Sequence, residues 1–231
     1  MKSPPASRRE LDEVVVNIEL TLASIVQGVA LTFLAENASE VVSHGPLTAW
    51  PYVAVSFVII LLFWARACIH TLTLIRWPLE FVHNFFYFAC ALVEVLAFHY
   101  VGNPFMWFTL NSVFALFVWA LFIHDLRIIR QRTKDSTGDS SFRLYAIVLA
   151  DQWANIRFIV PVALIMNMAS AAAIKFFPEF FLQHHGHVAL VGLQGLGLLG
   201  NLIYIIRSFT RITPLISAAR EEWRDDVEEG I

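Results

Sequence analysis

The sequence predicts an all-α fold, a polytopic membrane bundle of six transmembrane helices with both termini cytoplasmic, and three observations carry that prediction. The 231 residues are 58% hydrophobic and only 15% charged, with a mean hydropathy of +0.63. That is too little charge for the outer surface of a water-soluble domain of this size. Six apolar runs each approach the roughly 20 residues that a helix needs to cross a bilayer. Lys and Arg beside those runs alternate: Lys2, Arg8, Arg9, Arg76, Arg127, Arg130, Arg132, Lys134, Arg143, Arg211, Arg220 and Arg224 fall on one side, and only Lys175 falls on the other. The positive-inside rule puts the first group in the cytoplasm.

Residues 1–13 form a short cytoplasmic lead containing Pro4 and Pro5. Residues 14–126 hold spans one to four. The first is expected over 14–35, followed by a polar loop with Glu36, Asn37, Glu40, His44, Gly45 and Pro46. Trp50 and Pro51 open the second, which runs to residue 75, and Arg76-Trp77-Pro78 breaks the helix because proline disfavours helix in the residue before it. The third covers 79–101. Gly102-Asn103-Pro104 then makes a tight turn into the fourth, giving an antiparallel hairpin.

Residues 127–142 read as a cytoplasmic basic linker. Residues 143–207 follow as a helical run too long for one crossing, then the sixth span. In that run, Asp151, Gln152, Asn155 and Arg157 are expected to project beyond the membrane, with the fifth span over 156–177 and the sixth over 188–207. Residues 208–231 form a charged cytoplasmic tail. The multi-pass reading implies a lipid bilayer as the surroundings, with the plasma (inner) membrane as the expected location. Nothing in the composition points to nucleic acid.

The residues worth singling out are the polar ones inside apolar runs, because burying a polar group in hydrocarbon is costly unless the protein shelters it. Glu94, deep in the third span, is the first of them. Counted from the predicted external ends of their spans, Gln27, Glu94, Asn111 and Gln194 all lie roughly 10 Å deep at 1.5 Å rise per residue, and can form one polar layer. Nearer the cytoplasm, Glu19 and Arg66 have similar depths and are expected to form a buried ion pair. Gly192, Gly195, Gly197 and Gly200 lie within nine residues of the sixth span and suit close packing or a hinge. His184, His185 and His187 are the one clustered candidate for a metal. No nucleophile elbow, phosphate loop or nucleotide fingerprint appears, so no catalytic residue is assigned, an enzyme is the lesser expectation and no cofactor is predicted.

The segment AVSFVIILLFW over 54–64, followed by Asn84 twenty residues after Trp64, resembles spans two and three of the endolysosomal-type potassium channel family and its bacterial six-helix relatives. Of that family's span-one signature only Gly28 is present, with Gln27 in place of the aspartate. The resemblance implies a homo-oligomer whose first span lines a central pore, and Ser24, Gln27, Gly28 and Thr32 are the residues that would do so.

These readings converge on an integral membrane ion channel or small transporter, cation-conducting, with Ser24, Gln27, Gly28, Thr32, Glu94, Asn111 and Gln194 as the candidate path. The alternative is a membrane-embedded signalling or effector subunit. Its basic linker, through Arg130, Arg132 and Lys134, would bind a cytoplasmic partner or anionic lipid.

Overall fold

The first helix runs further than its apolar residues require. In the computed structural model, which describes residues 6–73, 81–135 and 138–228 (side chains of 6–13, 42, 132, 135, 220 and 223–228 excepted), α1 spans Ala6–His44 without a break. The stretch expected as a polar loop after residue 35 is therefore helical. Its polar residues are accommodated by their own helix: Asn37 Nδ2 donates to Phe33 O at 2.8 Å and Ser43 Oγ to Ser39 O at 2.8 Å. Gly45 closes the last turn onto Val41 O, and Pro46, unable to donate, ends it.

The remaining helices are α2 (Trp50–Thr73), α3 (Phe81–His99), α4 (Pro104–Asp135), α5 (Asp139–Ala154), α6 (Val160–Phe176) and α7 (Gly186–Glu228). There is no strand among the described residues. The expected break at Arg76-Trp77-Pro78 lies outside the described residues. The hairpin of α3 and α4 turns where the sequence places it, with Asn103 Oδ1 accepting the Met106 N–H as a cap. The basic linker is mostly helix, since α4 continues to Asp135 and α5 begins at Asp139.

Between α5 and α6 the helix widens into a single π turn, Asn155–Ile159, instead of breaking. Pro161 is the cause. In the π register Val160 N–H bonds back to Asn155 O, so Ile156 O would need the N–H of residue 161, which proline lacks. Trp119 supplies the missing donor, its indole Nε1 reaching Ile156 O at 3.0 Å.

Among the described residues six helices are long and apolar enough to cross a membrane, counting α5, the π turn and α6 as one. Their outward faces carry exposed Leu92, Ile165, Leu196 and Ile206, which suits a hydrocarbon surround. α4 is central, packed most closely on α6 and α3, while α1 lies on α2 and α3, and α2 on α7. α6 and α7 touch little, and the gap between them matters below.

At the end of the bundle that carries the α4–α5 turn, Ile129, Leu144, Val148, Ile212, Ile216 and Ala219 form a separate core that docks the tail half of α7 on α4 and α5. The tail is thus part of one long helix. Its Glu222 caps α5: the Ser140 and Ser141 N–H groups donate to its carboxylate at 2.8 and 3.1 Å. Gly138 leaves room for this, because a Cβ there would run into the Glu222 carboxylate. Slight burial raises the Glu222 carboxyl, but the four hydrogen bonds from Ser140 and Ser141 outweigh it and hold the group below its ordinary range. A carboxyl depressed in the fold stabilises at pH above its unfolded value and loses that contribution as pH falls through its folded one. Protection of the amides at the start of α5, taken relative to their intrinsic exchange rate at each pH, is therefore expected to fall as the solution is acidified from neutral, and Glu222→Ala to lower it at neutral pH by the roughly 1 kcal/mol of a lost cap. Protection that does not change on acidification would show that the cap does not hold.

Candidate functional site

Of the four groups expected in one polar layer, two bond to each other and two face elsewhere. Gln27 Nε2 donates to Glu94 Oε2 at 3.3 Å, joining α1 to α3 around a carboxyl that is 1% exposed. Asn111 and Gln194 do not reach Glu94. They line a cavity of about 120 Å³ between α2, α4, α6 and α7.

That cavity has apolar walls, among them Ile59, Leu62, Phe63 and Val118, interrupted by Arg66 and five carboxamides: Asn111, Asn155, Asn167, Gln194 and Asn201. The orientation of three carboxamides follows from their neighbours. Asn111 Nδ2 donates to Trp107 O at 2.9 Å and Asn167 Nδ2 to Ala163 O at 2.8 Å. Asn155 Nδ2 donates to Asp151 O at 2.7 Å. A backbone carbonyl only accepts, so each amide nitrogen is committed to its own helix and each oxygen is turned away from it, that of Asn155 accepting from Arg66 at 2.8 Å. The Asn167, Gln194 and Asn201 side-chain oxygens are buried and have no hydrogen-bond partner among the described residues. Three residues of the wall thus carry acceptors that the protein itself leaves unmet. Leaving a buried acceptor unmet costs about 1–3 kcal/mol, so three of them around one cavity call for a donor or a cation. The cavity shares Asn167, Gln194, Leu198 and Asn201 with a groove of about 390 Å³ in the gap between α6 and α7.

Arg66 does not pair with Glu19. Its guanidinium binds Asp151 on α5, and its second nitrogen donates to Asn155 Oδ1 at 2.8 Å. Tyr204 on α7 adds a hydroxyl to Asp151 at 2.7 Å. Depth alone could not foresee this. Glu19 is level with Arg66 but turned toward α3, where Asn84 Nδ2 donates to it at 3.3 Å. Asp151, Gln152 and Asn155, expected to project beyond the membrane, instead face the bundle, and Gln152 Nε2 reaches Phe122 O at 2.8 Å.

One centre was missing from the sequence reading. Asp125, at the end of the expected fourth span, is 0% exposed and is surrounded by imidazoles from three helices. The Nδ1 atoms of His83, His124 and His70 lie 2.9, 3.6 and 3.7 Å from its oxygens. The signal was present: Val118, Leu121, Asp125 and Ile129 fall at helical spacing on one buried stripe of α4. A second cavity, of about 30 Å³, lies against this centre and is lined by Glu19, Arg66, His70, His83 and Asp125. Phe63, Arg66 and Phe122 line both cavities.

No protein-family model, curated protein or solved structure matches this chain. Function must therefore be argued from the site and not from a fold relative.

The other candidates stand as follows. Ser24, Gly28 and Thr32 are exposed on the outer face of α1, away from both cavities, with Thr32 Oγ1 bonded to Gly28 O at 3.0 Å. Of the four glycines, only Gly195 is a close-packing position, since a Cβ there would sit 3.0 Å from Val55 Cγ2 on α2. A Cβ at Gly192, Gly197 or Gly200 meets nothing. α7 is continuous through all four, so the structure gives no sign of a hinge. His184 and His185 are exposed, whereas His187 is buried and accepts or donates at Nδ1 with the Tyr52 hydroxyl at 3.0 Å. The His187 ring also stands edge-on to that of His185, with centroids 6.0 Å apart, but among the described residues no three such groups gather to hold a metal. Of the linker cations, Arg130 stacks on the Trp153 ring at 4.9 Å, Lys134 is exposed, and the Arg132 side chain lies outside the described residues.

Proposed function

We propose that this protein is a small-ion transporter or channel whose path for a monovalent cation runs inside one subunit, through the carboxamide cavity between α2, α4, α6 and α7. The observation that carries the reading is the cavity wall, whose residues Asn167, Gln194 and Asn201 keep unpaired side-chain oxygens among largely apolar neighbours. Carbonyl-type oxygens replace the hydration shell of a weakly hydrated monovalent ion, whereas calcium and magnesium favour carboxylates, of which this cavity has none on its wall. The Arg66 charge at its floor is balanced by Asp151. The resemblance of spans two and three to potassium channels is in keeping with such cargo. The exposed Ser24, Gly28 and Thr32 face of α1 is the surface on which copies would associate if the protein assembles as a homo-oligomer.

Flux of potassium and sodium into proteoliposomes tests the proposal. The expected result is monovalent cation flux that drops about tenfold in Asn167→Leu and Gln194→Leu, equivalent to ~1.4 kcal/mol of lost site energy. Variants that remain folded by thermal unfolding yet conduct like the original chain would overturn it, as would an original chain that conducts nothing.

A further inference from the structure

The geometry points to a second ion site in this protein: we infer that the Asp125 centre binds a proton, and that proton binding there and cation binding in the carboxamide cavity oppose each other. The inference rests on the cation-path reading for its second ion but not for its own chemistry.

An ionised carboxylate with no exposed surface is costly to hold in a low-dielectric interior unless a positive charge stands beside it. Asp125 has three neighbours able to supply that charge, each presenting Nδ1: His83 at 2.9 Å, His124 at 3.6 Å and His70 at 3.7 Å. One proton shared among them makes the centre neutral. A second makes it positive, and loss of the first leaves it negative. Transfer breaks an imidazole N–H bond and forms a carboxyl O–H bond or hands the proton to water, so no electron donor or acceptor is needed. The small cavity beside the centre, about 30 Å³, has room for water to carry the proton in or out.

The charges around the centre set the direction of coupling. α1 contributes Glu19 and α2 contributes Arg66 and His70. α3 contributes His83 and Tyr87, and α4 adds His124 beside Asp125 itself. From α5, Asp151 interacts with both Arg66 and His70. Arg66 is the member common to the two cavities, and Phe63 and Phe122 form the rest of the wall between them. A proton gained at Asp125 adds positive charge within a few side chains of a cation in the larger cavity, with little water between to screen it. Each ion thus weakens the other, and by linkage the effect is reciprocal. Opposed binding at two such sites is what exchange of one cation for the other across the bilayer requires.

Two measurements on the full-length protein test this. In a weakly buffered detergent solution near neutral pH, adding potassium chloride to the original chain is expected to release protons, while the same concentration of choline chloride releases none. Asp125→Asn is expected to abolish the release. Should that variant fail to fold, His83→Asn, which keeps a polar donor, is expected to cut the number of protons released per chain while potassium binds no more weakly. In proteoliposomes, an imposed potassium gradient is expected to drive protons the opposite way. Potassium flux with no linked proton release in solution and no proton movement would overturn the inference and leave the cation path standing. Proton release linked to potassium without any flux would overturn the path and leave the paired sites standing.

Discussion

Arg66→Met is expected to destabilise the protein by about 3–5 kcal/mol, because it removes one member of a buried ion pair and leaves the other uncompensated. Both partners are nearly enclosed, with 9% of the Arg66 and 10% of the Asp151 side chain accessible. The loss extends beyond the pair. Asn155 Oδ1 forfeits its 2.8 Å donor at the point where the helix widens, and Tyr204 is left holding an isolated carboxylate from α7. α2, α5 and α7 would lose their common tie. Thermal unfolding in detergent micelles reads the change. The double replacement Arg66→Met with Asp151→Leu discriminates between causes. If the penalty comes from the orphaned charge, the double variant recovers most of the stability, as apolar groups often replace buried ion pairs at little cost. A single Arg66→Met variant as stable as the original chain would mean that the guanidinium extends to the membrane surface and contributes nothing to the core.

The same residue shows what was legible in the sequence. Apolar run length located the six spanning helices, and Gly102-Asn103-Pro104 located the α3–α4 turn, because these are local signals. Depth along a helix is also local, and it brought Gln27 level with Glu94, which do bond. What depth leaves open is which way around each helix a side chain points. Glu19 and Arg66 share a level but face different neighbours, and Asn111 turns its amide to Trp107 instead of Glu94. Asp151 was expected outside the membrane for another reason. Read as the start of an overlong run, α5 belonged outside the bundle. The π turn before Pro161, braced by Trp119, keeps its polar face inside. Asp125 was hidden by position, since a carboxylate beside a basic stretch looks like the end of a span. Only the Val118, Leu121 and Ile129 stripe marks it as inward facing.

Trp107→Ala is expected to cost about 3–5 kcal/mol, the range for removing a buried aromatic from a packed core. Trp107 has no exposed surface. Its indole Nε1 donates to Ser56 Oγ at 3.1 Å, and its ring meets Tyr52 edge-on, with centroids 5.0 Å apart. Tyr52 in turn holds His187 at the start of α7 through its hydroxyl. The α4 indole therefore fixes where α2 stands and, through Tyr52, where α7 begins. Gly195, packed on Val55 one turn beyond Tyr52, continues the same α2–α7 contact toward the carboxamide cavity. Trp107→Phe separates the two contributions. It keeps most of the ring packing and loses the indole donor, and Ser56 can turn to its own helix, so about 1 kcal/mol is expected. The alanine variant is expected to loosen α7 against α2 and widen the cavity that their contact bounds. Its cation flux, measured below its lowered melting temperature, should then discriminate less between potassium and sodium than that of Trp107→Phe. Equal discrimination in the two variants would show that the aromatic tie sets stability alone, and that the cavity keeps its shape through Gly195 and the polar groups at its floor.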